Sequence, residues 1–186
     1  MDRTAINAAL QKNHEAFIVR IHKLPAEQWN TSLNGKWSPA QQLDHILRSV
    51  GPVHMAMGLP KWFLRMVFGK PNRDARSYVA LCQRYHEKLT AGGRASGRFV
   101  PPPKPSRSVE QMSAELRKLI DRLNGRVNKW SEKDLDTVLL PHPLLGRITS
   151  REMLYFTIYH AQHHHELVER DCGHWNTPSS TTVVNA

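Results

Sequence analysis

Three times in this chain a Ser or Thr is followed three residues later by Glu or Gln, just ahead of apolar residues at helical spacing: Ser38 with Gln41, Ser108 with Gln111, and Thr149 with Glu152. In such a box the two side chains satisfy backbone amides that a helix start leaves unpaired, so each pair fixes where a helix begins. Behind Ser38, Pro39 occupies the first turn, where its missing N–H costs nothing, and Leu43, Ile46, Leu47 and Val50 form an apolar arc. Behind Ser108, Met112, Leu116, Leu119, Leu123, Val127 and Trp130 carry a stripe for about five turns. Behind Thr149 the pattern runs to Arg170. A further helix is expected from Arg3 to His22, with Ile6, Leu10, Phe17 and Ile21 inward and Leu24-Pro25 ending it. Four long helices in 186 residues imply an all-α fold, a four-helix bundle. One domain over 1–170 and a polar, mobile tail over 171–186 are expected.

Shorter elements fill the gaps. Gly51-Pro52 is expected to break or kink the second helix. From Val53 to Phe68, Trp62, Phe63, Met66 and Val67 alternate with Lys61 and Arg65, the pattern of a covering helix or of an interfacial membrane helix. Ser77 to Leu89 reads as a short helix. Residues 91–108 hold four prolines, three glycines and four cations and cannot build a core element. They read as a Pro-rich crossover loop on the surface.

Composition excludes several classes. No run of about 18 apolar residues exists to span a bilayer, and the N-terminus lacks the order of a secretion signal, so the expected location is cytoplasmic. Cys82 and Cys172, the only cysteines, are expected as reduced thiols. The net charge of +10 would suit nucleic acid, an anionic membrane surface or an acidic small substrate. The cations form no long run and no nucleic-acid-binding signature accompanies them, which argues against nucleic acid.

The chemistry concentrates in the last helix. Met153, Phe156, Thr157, His160, His164, Leu167 and Val168 fall within about 60° of one line on a helical wheel, with His163 at its edge and His165 off it. His160 and His164, at i and i+4, can therefore point together into an interior. Two buried imidazoles need partners for four ring nitrogens. Core histidines bound to carbonyls and a metal pair both answer that need, and a metal would require a third ligand from elsewhere. His45 lies opposite its helix's apolar arc, a position that fits either solvent or a polar cleft between helices. His14 and His22 have no second histidine four residues away and are read as exposed or partnered side chains.

The paired motifs GKWSPAQQLDHI and HPLLGRITSREMLYFTIYHAQHH, that is W-S-x-x-Q-x-x-x-H followed over a hundred residues later by H-P-x-x-G and H-x-x-x-H, resemble those of the DinB/YfiT-like superfamily of metal-binding four-helix bundles. The resemblance covers essentially Arg3 to Arg170. It implies an up-down-down-up helix order and a divalent metal, zinc, nickel or iron, held by His45, His160 and His164. It also gives His142 a loop-constraining or supporting role without making it a ligand. Where members often carry a Gln three residues past the second histidine, this chain has Leu167.

What the resemblance implies for function is a metal-dependent hydrolase, or a transferase using a low-molecular-weight thiol, acting on a small molecule through metal-bound water or thiol. A non-catalytic metal-binding or stress-response protein is the alternative. Carboxylates on such a thiol would find cations in Lys61, Arg65 and Arg98. No G-x-S-x-G elbow or Cys/His nucleophile pattern is present, and Glu152 is already engaged in capping. Leu154, Tyr155, Ile158 and Tyr159, off the site-facing stripe, are expected either to support a homodimer or to cover other helices.

Overall fold

Each long helix starts where its cap dictates. A computed structural model of the chain describes residues 1–32 and 35–172. Helix α1 (Arg3–His22) is capped by Asp2, whose carboxylate accepts from the Ala5 amide at 2.8 Å. Both reciprocal bonds of the box form at Ser38 for α2 (Pro39–Met57) and at Ser108 for α5 (Val109–Val127). Ahead of α7 (Ser150–Cys172) the Thr149 amide donates to Glu152 at 2.9 Å and the Glu152 amide donates back to the Thr149 hydroxyl at 3.2 Å. Between these lie α3 (Lys61–Phe68), α4 (Tyr78–Thr90) and α6 (Glu132–Thr137).

Side-chain contacts fix the helix directions. Met1 reaches Tyr155 and Asn13 reaches the Ile158 carbonyl, so α1 and α7 run the same way. Glu15 pairs with Arg117 while Asn7 meets Asn128, so α5 runs against α1. Arg107 pairs with Asp44 and Arg126 caps the carbonyls of His54 and Met55, which sets α2 parallel to α5. The order is up, down, down, up. In cross-section α1 touches α5 and α7, and α2 closes the ring from the other side. The core they enclose includes Ile6, Leu10, Phe17, Leu43, Ile46, Met112, Leu116, Ile120 and Leu154, all essentially without solvent contact.

Helix α7 is the most enveloped element. From Ser150 to Ala161 every side chain is buried, because α1, α2, α4, α6 and the hairpin all pack on it. Leu154, Tyr155, Ile158 and Tyr159 are accordingly interior to the chain, where they pack against other helices. A small antiparallel hairpin precedes α7, β1 (Leu139–His142) and β2 (Gly146–Thr149), with His142 opposite Gly146. Gly146 takes φ +74°, which L side chains rarely adopt, and so allows the turn.

Two local expectations are corrected. Of the break or kink expected at Gly51-Pro52, the break does not occur, and α2 continues to Met57. Pro52 forfeits one backbone bond, yet Val50, Val53 and Met57 are buried on both sides of it, and Arg126 holds the carbonyls beyond it. The stretch from Val53 to Phe68 is consequently divided between the end of α2 and α3, joined through Gly58-Leu59-Pro60. No helix among the described residues is long and apolar enough to cross a membrane. Cys82 and Cys172 are free thiols, and the remainder of the expected tail after Cys172 lies outside the described residues.

Candidate metal centre

Antiparallel packing of α2 on α7 brings three imidazoles to one point. His45 Nε2 lies 3.1 Å from His160 Nε2, and His164 Nε2 lies 3.0 Å from the same atom. All three rings are buried, and one nitrogen of each falls within 4.8 Å of the others. Ligands on a tetrahedral metal at about 2.1 Å would stand roughly 3.4 Å apart, close to the separations found. His163, the wheel's edge residue, is only half-buried and outside the cluster.

The outward nitrogens of two rings are tied down. His45 Nδ1 donates to the Phe99 carbonyl at 2.6 Å, and His164 Nδ1 donates to the side-chain oxygen of Gln42. A proton held at Nδ1 leaves Nε2 with its lone pair directed at the shared point. Supporting bonds of this kind orient imidazole ligands and raise their basicity. Burial holds His160 and His164 well below the ordinary histidine pKa, reinforced by the neighbouring imidazoles, and burial also lowers His45. Neutral rings are the form in which a metal is bound.

His142 stands behind the cluster. Its Nδ1 accepts the amides of Leu144 and Leu145, each at 3.1 Å, and so staples the hairpin turn. Its ring packs edge-on against Phe156 at 4.2 Å, and Phe156 in turn stacks on His160 at 4.7 Å. Burial pushes the His142 pKa down to about 4. On the other side Trp37 leans on His45 with 4.9 Å between ring centroids and lies nearly parallel to His164 at 6.4 Å.

A family model of the DinB superfamily matches residues 9–168, a span that contains all three histidines and both capping boxes that present them. The chain belongs to the DinB superfamily. No curated protein and no solved structure matches it. In this DinB-superfamily chain the three histidines open on a cavity of about 1140 Å³ between α2 and α7. Leu167, in place of the family's polar residue, is part of its wall, as is Trp37. Trp62 is 66% exposed and lies apart from it.

Of the cations proposed from sequence, only Arg98 lines the cavity. Lys61 and Arg65 are engaged elsewhere, both on Asp134 at 2.8 and 2.7 Å. The Pro-rich crossover does more than traverse the surface. Arg98 and Phe99 present their carbonyls to Arg48 and His45, and the Pro102 carbonyl accepts from Gln41, so the loop walls the site along α2. Gln42 and Phe99 were not identifiable as site residues from the motifs. Gln42, three residues before His45 on one helix, had a positional signal; a backbone carbonyl in a loop has none.

Proposed function

We propose that His45, His160 and His164 bind one divalent metal, zinc, nickel or iron, through their Nε2 atoms, and that the protein is an enzyme acting on a small molecule at that metal. The reaction is hydrolysis or transfer to a low-molecular-weight thiol. The observation that carries this reading is the convergence of three neutral nitrogens on a cavity wall. When bound, such a metal acidifies water or a thiol at its open side and polarises a carbonyl.

The residues around it have separate tasks. Phe99 and Gln42 hold two imidazoles in the competent tautomer. Trp37 and Phe156 wall the site and limit water beside it. Arg98, and Arg94 on the same loop, offer charge to carboxylates of a substrate or thiol. Asp171 is the only carboxylate lining the cavity among the described residues, and Lys36 and Arg170 both engage it. A free carboxylate base is therefore not at hand, and His163, which lines the cavity outside the cluster, is the non-ligand imidazole nearest that role. Closed structural zinc sites use four protein ligands; three reach this centre among the described residues, which favours catalysis over a structural role.

The test is metal analysis of purified protein, followed by assays of the loaded protein on activated esters and on an electrophile with a thiol. About one metal per chain is expected, lost in His164→Ala and kept in His163→Ala. Equal loss in both variants would refute the assignment.

A further inference from the structure

The cavity extends well beyond what three ligands and a small reacting group need, and its two ends differ in character. On α2 its lining positions include Gln42, His45, Ser49, Val53 and Ala56, which share one face of the helix, together with Pro52 and Met55. From His45 to Ala56 is about 16 Å along the helix axis. Toward the start of α2 the wall holds Lys36, Arg170 and Asp171, an ion-paired group. In the other direction the chemistry changes. Leu59 of the α2–α3 linker, Leu64 of α3, Leu140 and Leu144 of the hairpin, and Met153 and Phe156 of α7 line this part of the cavity and make it an apolar channel. Leu59 is 44% exposed and marks its outer end.

We propose that the substrate carries an extended apolar arm, which lies in this channel while its polar reacting group sits at the histidines. The inference rests on the metal-site reading for the place of reaction, whereas the channel itself is independent of a metal. A polar or charged substituent would lose hydration there, because Val53, Leu64, Leu140, Met153 and Phe156 present only apolar side chains, with His142 and Tyr85, packed on Phe156, the polar groups beside them. A methylene chain gains about fourfold in affinity for each CH₂ it buries. The enzyme would therefore discriminate by chain length, and a substrate cut back to its reacting group would bind far more weakly.

Titration calorimetry of the zinc-loaded full-length protein with n-alkyl hydroxamates, from acetohydroxamate to decanohydroxamate, tests this directly. Affinity is expected to climb by about threefold to fourfold per methylene before levelling off. In Ala56→Trp, which fills the channel, and Leu59→Glu, which charges its outer end, the ratio of decano- to acetohydroxamate affinity is expected to fall at least tenfold. A flat series, with acetohydroxamate bound, overturns the apolar arm and leaves the metal reading standing. Decanol, which has no metal-binding head, separates the two claims in the opposite sense. If no variant holds metal, decanol binding to His164→Ala that Ala56→Trp weakens still supports the channel, and its failure to bind refutes it.

Discussion

His45 and His160 are separated by 115 positions in sequence, yet their Nε2 atoms lie 3.1 Å apart. Neither residue brings the other there. The Ser38 and Thr149 capping boxes set the starts of α2 and α7, and the antiparallel packing of those helices sets the pairing. The Phe99 carbonyl on His45 then decides which nitrogen carries the proton, so a loop residue far from both motifs leaves the Nε2 lone pair turned toward the other two imidazoles.

Gln42 should therefore tune metal affinity without touching the metal. Its side-chain oxygen is the partner of His164 Nδ1–H, and loss of such a partner commonly weakens metal binding by about 10–100-fold. Gln42→Leu is expected to fall in that range, and Gln42→Glu to keep or raise affinity, because a carboxylate accepts the same proton more strongly. Competition with a zinc chelator measures both. Equal affinities for Leu and Gln at position 42 would show that the bond is incidental.

Trp37 gives an optical readout of the same site. Its ring is the tryptophan ring packed against two of the three histidines. Nickel or cupric ion added to the metal-free protein is expected to quench part of the tryptophan emission, and Trp37→Phe to remove that component while metal content persists. Quenching unchanged in Trp37→Phe would place the metal elsewhere.

Much of this arrangement is legible in the sequence. Helix starts are, because a capping box is a local code in which both partners lie within four residues. The preference for His160 and His164 over His163 is legible too, since helical period alone separates them. His45 is not decided by the same test. Its wheel position on the polar side of α2 fits solvent or a cleft equally, and only the loop contacts of Arg98, Phe99 and Pro102 on that side make it a cleft. The continuation of α2 past Pro52 was hidden for a related reason. Tertiary burial of Val53 and Met57 outweighs a single lost backbone bond, and no window of sequence contains that comparison.

Glu152 carries more than its cap. Besides bonding the Thr149 amide, its fully buried carboxylate accepts Arg73 at 2.8 and 3.0 Å and Arg76 at 3.1 Å. It thereby anchors the segment between α3 and α4 to the start of α7. Glu152→Gln keeps the shape but removes the charge that two guanidinium groups share. Because both arginines retain some solvent contact, the expected loss is about 2 kcal/mol rather than the full penalty of an orphaned buried ion. In a protein of this size that lowers the melting temperature by roughly 4–8 °C. Calorimetry that finds no change would mean that the cluster is neutral for folding.

His14 makes stability depend on pH in a direction that can be worked out. It sits inside α1, with Nδ1 donating to the Leu10 carbonyl at 2.8 Å and Nε2 buried without a partner. Burial depresses its pKa to about 4 against an ordinary 6.5. Below about 6.5 the unfolded chain takes up a proton at this residue and the folded chain does not, so stability present at neutral pH drains away as pH falls toward 4. The slope is about 1.4 kcal/mol per pH unit, and the total loss is about 3 kcal/mol. His142, also lowered to about 4, adds a similar loss in the same window. Subtraction isolates the share of His14. Urea denaturation of wild type and His14→Leu at pH 7.5, 6 and 5 should give a stability difference that shifts in the variant's favour as pH falls, because the variant lacks the proton sink in its unfolded state. Parallel curves would show that His14 takes up its proton equally in both states.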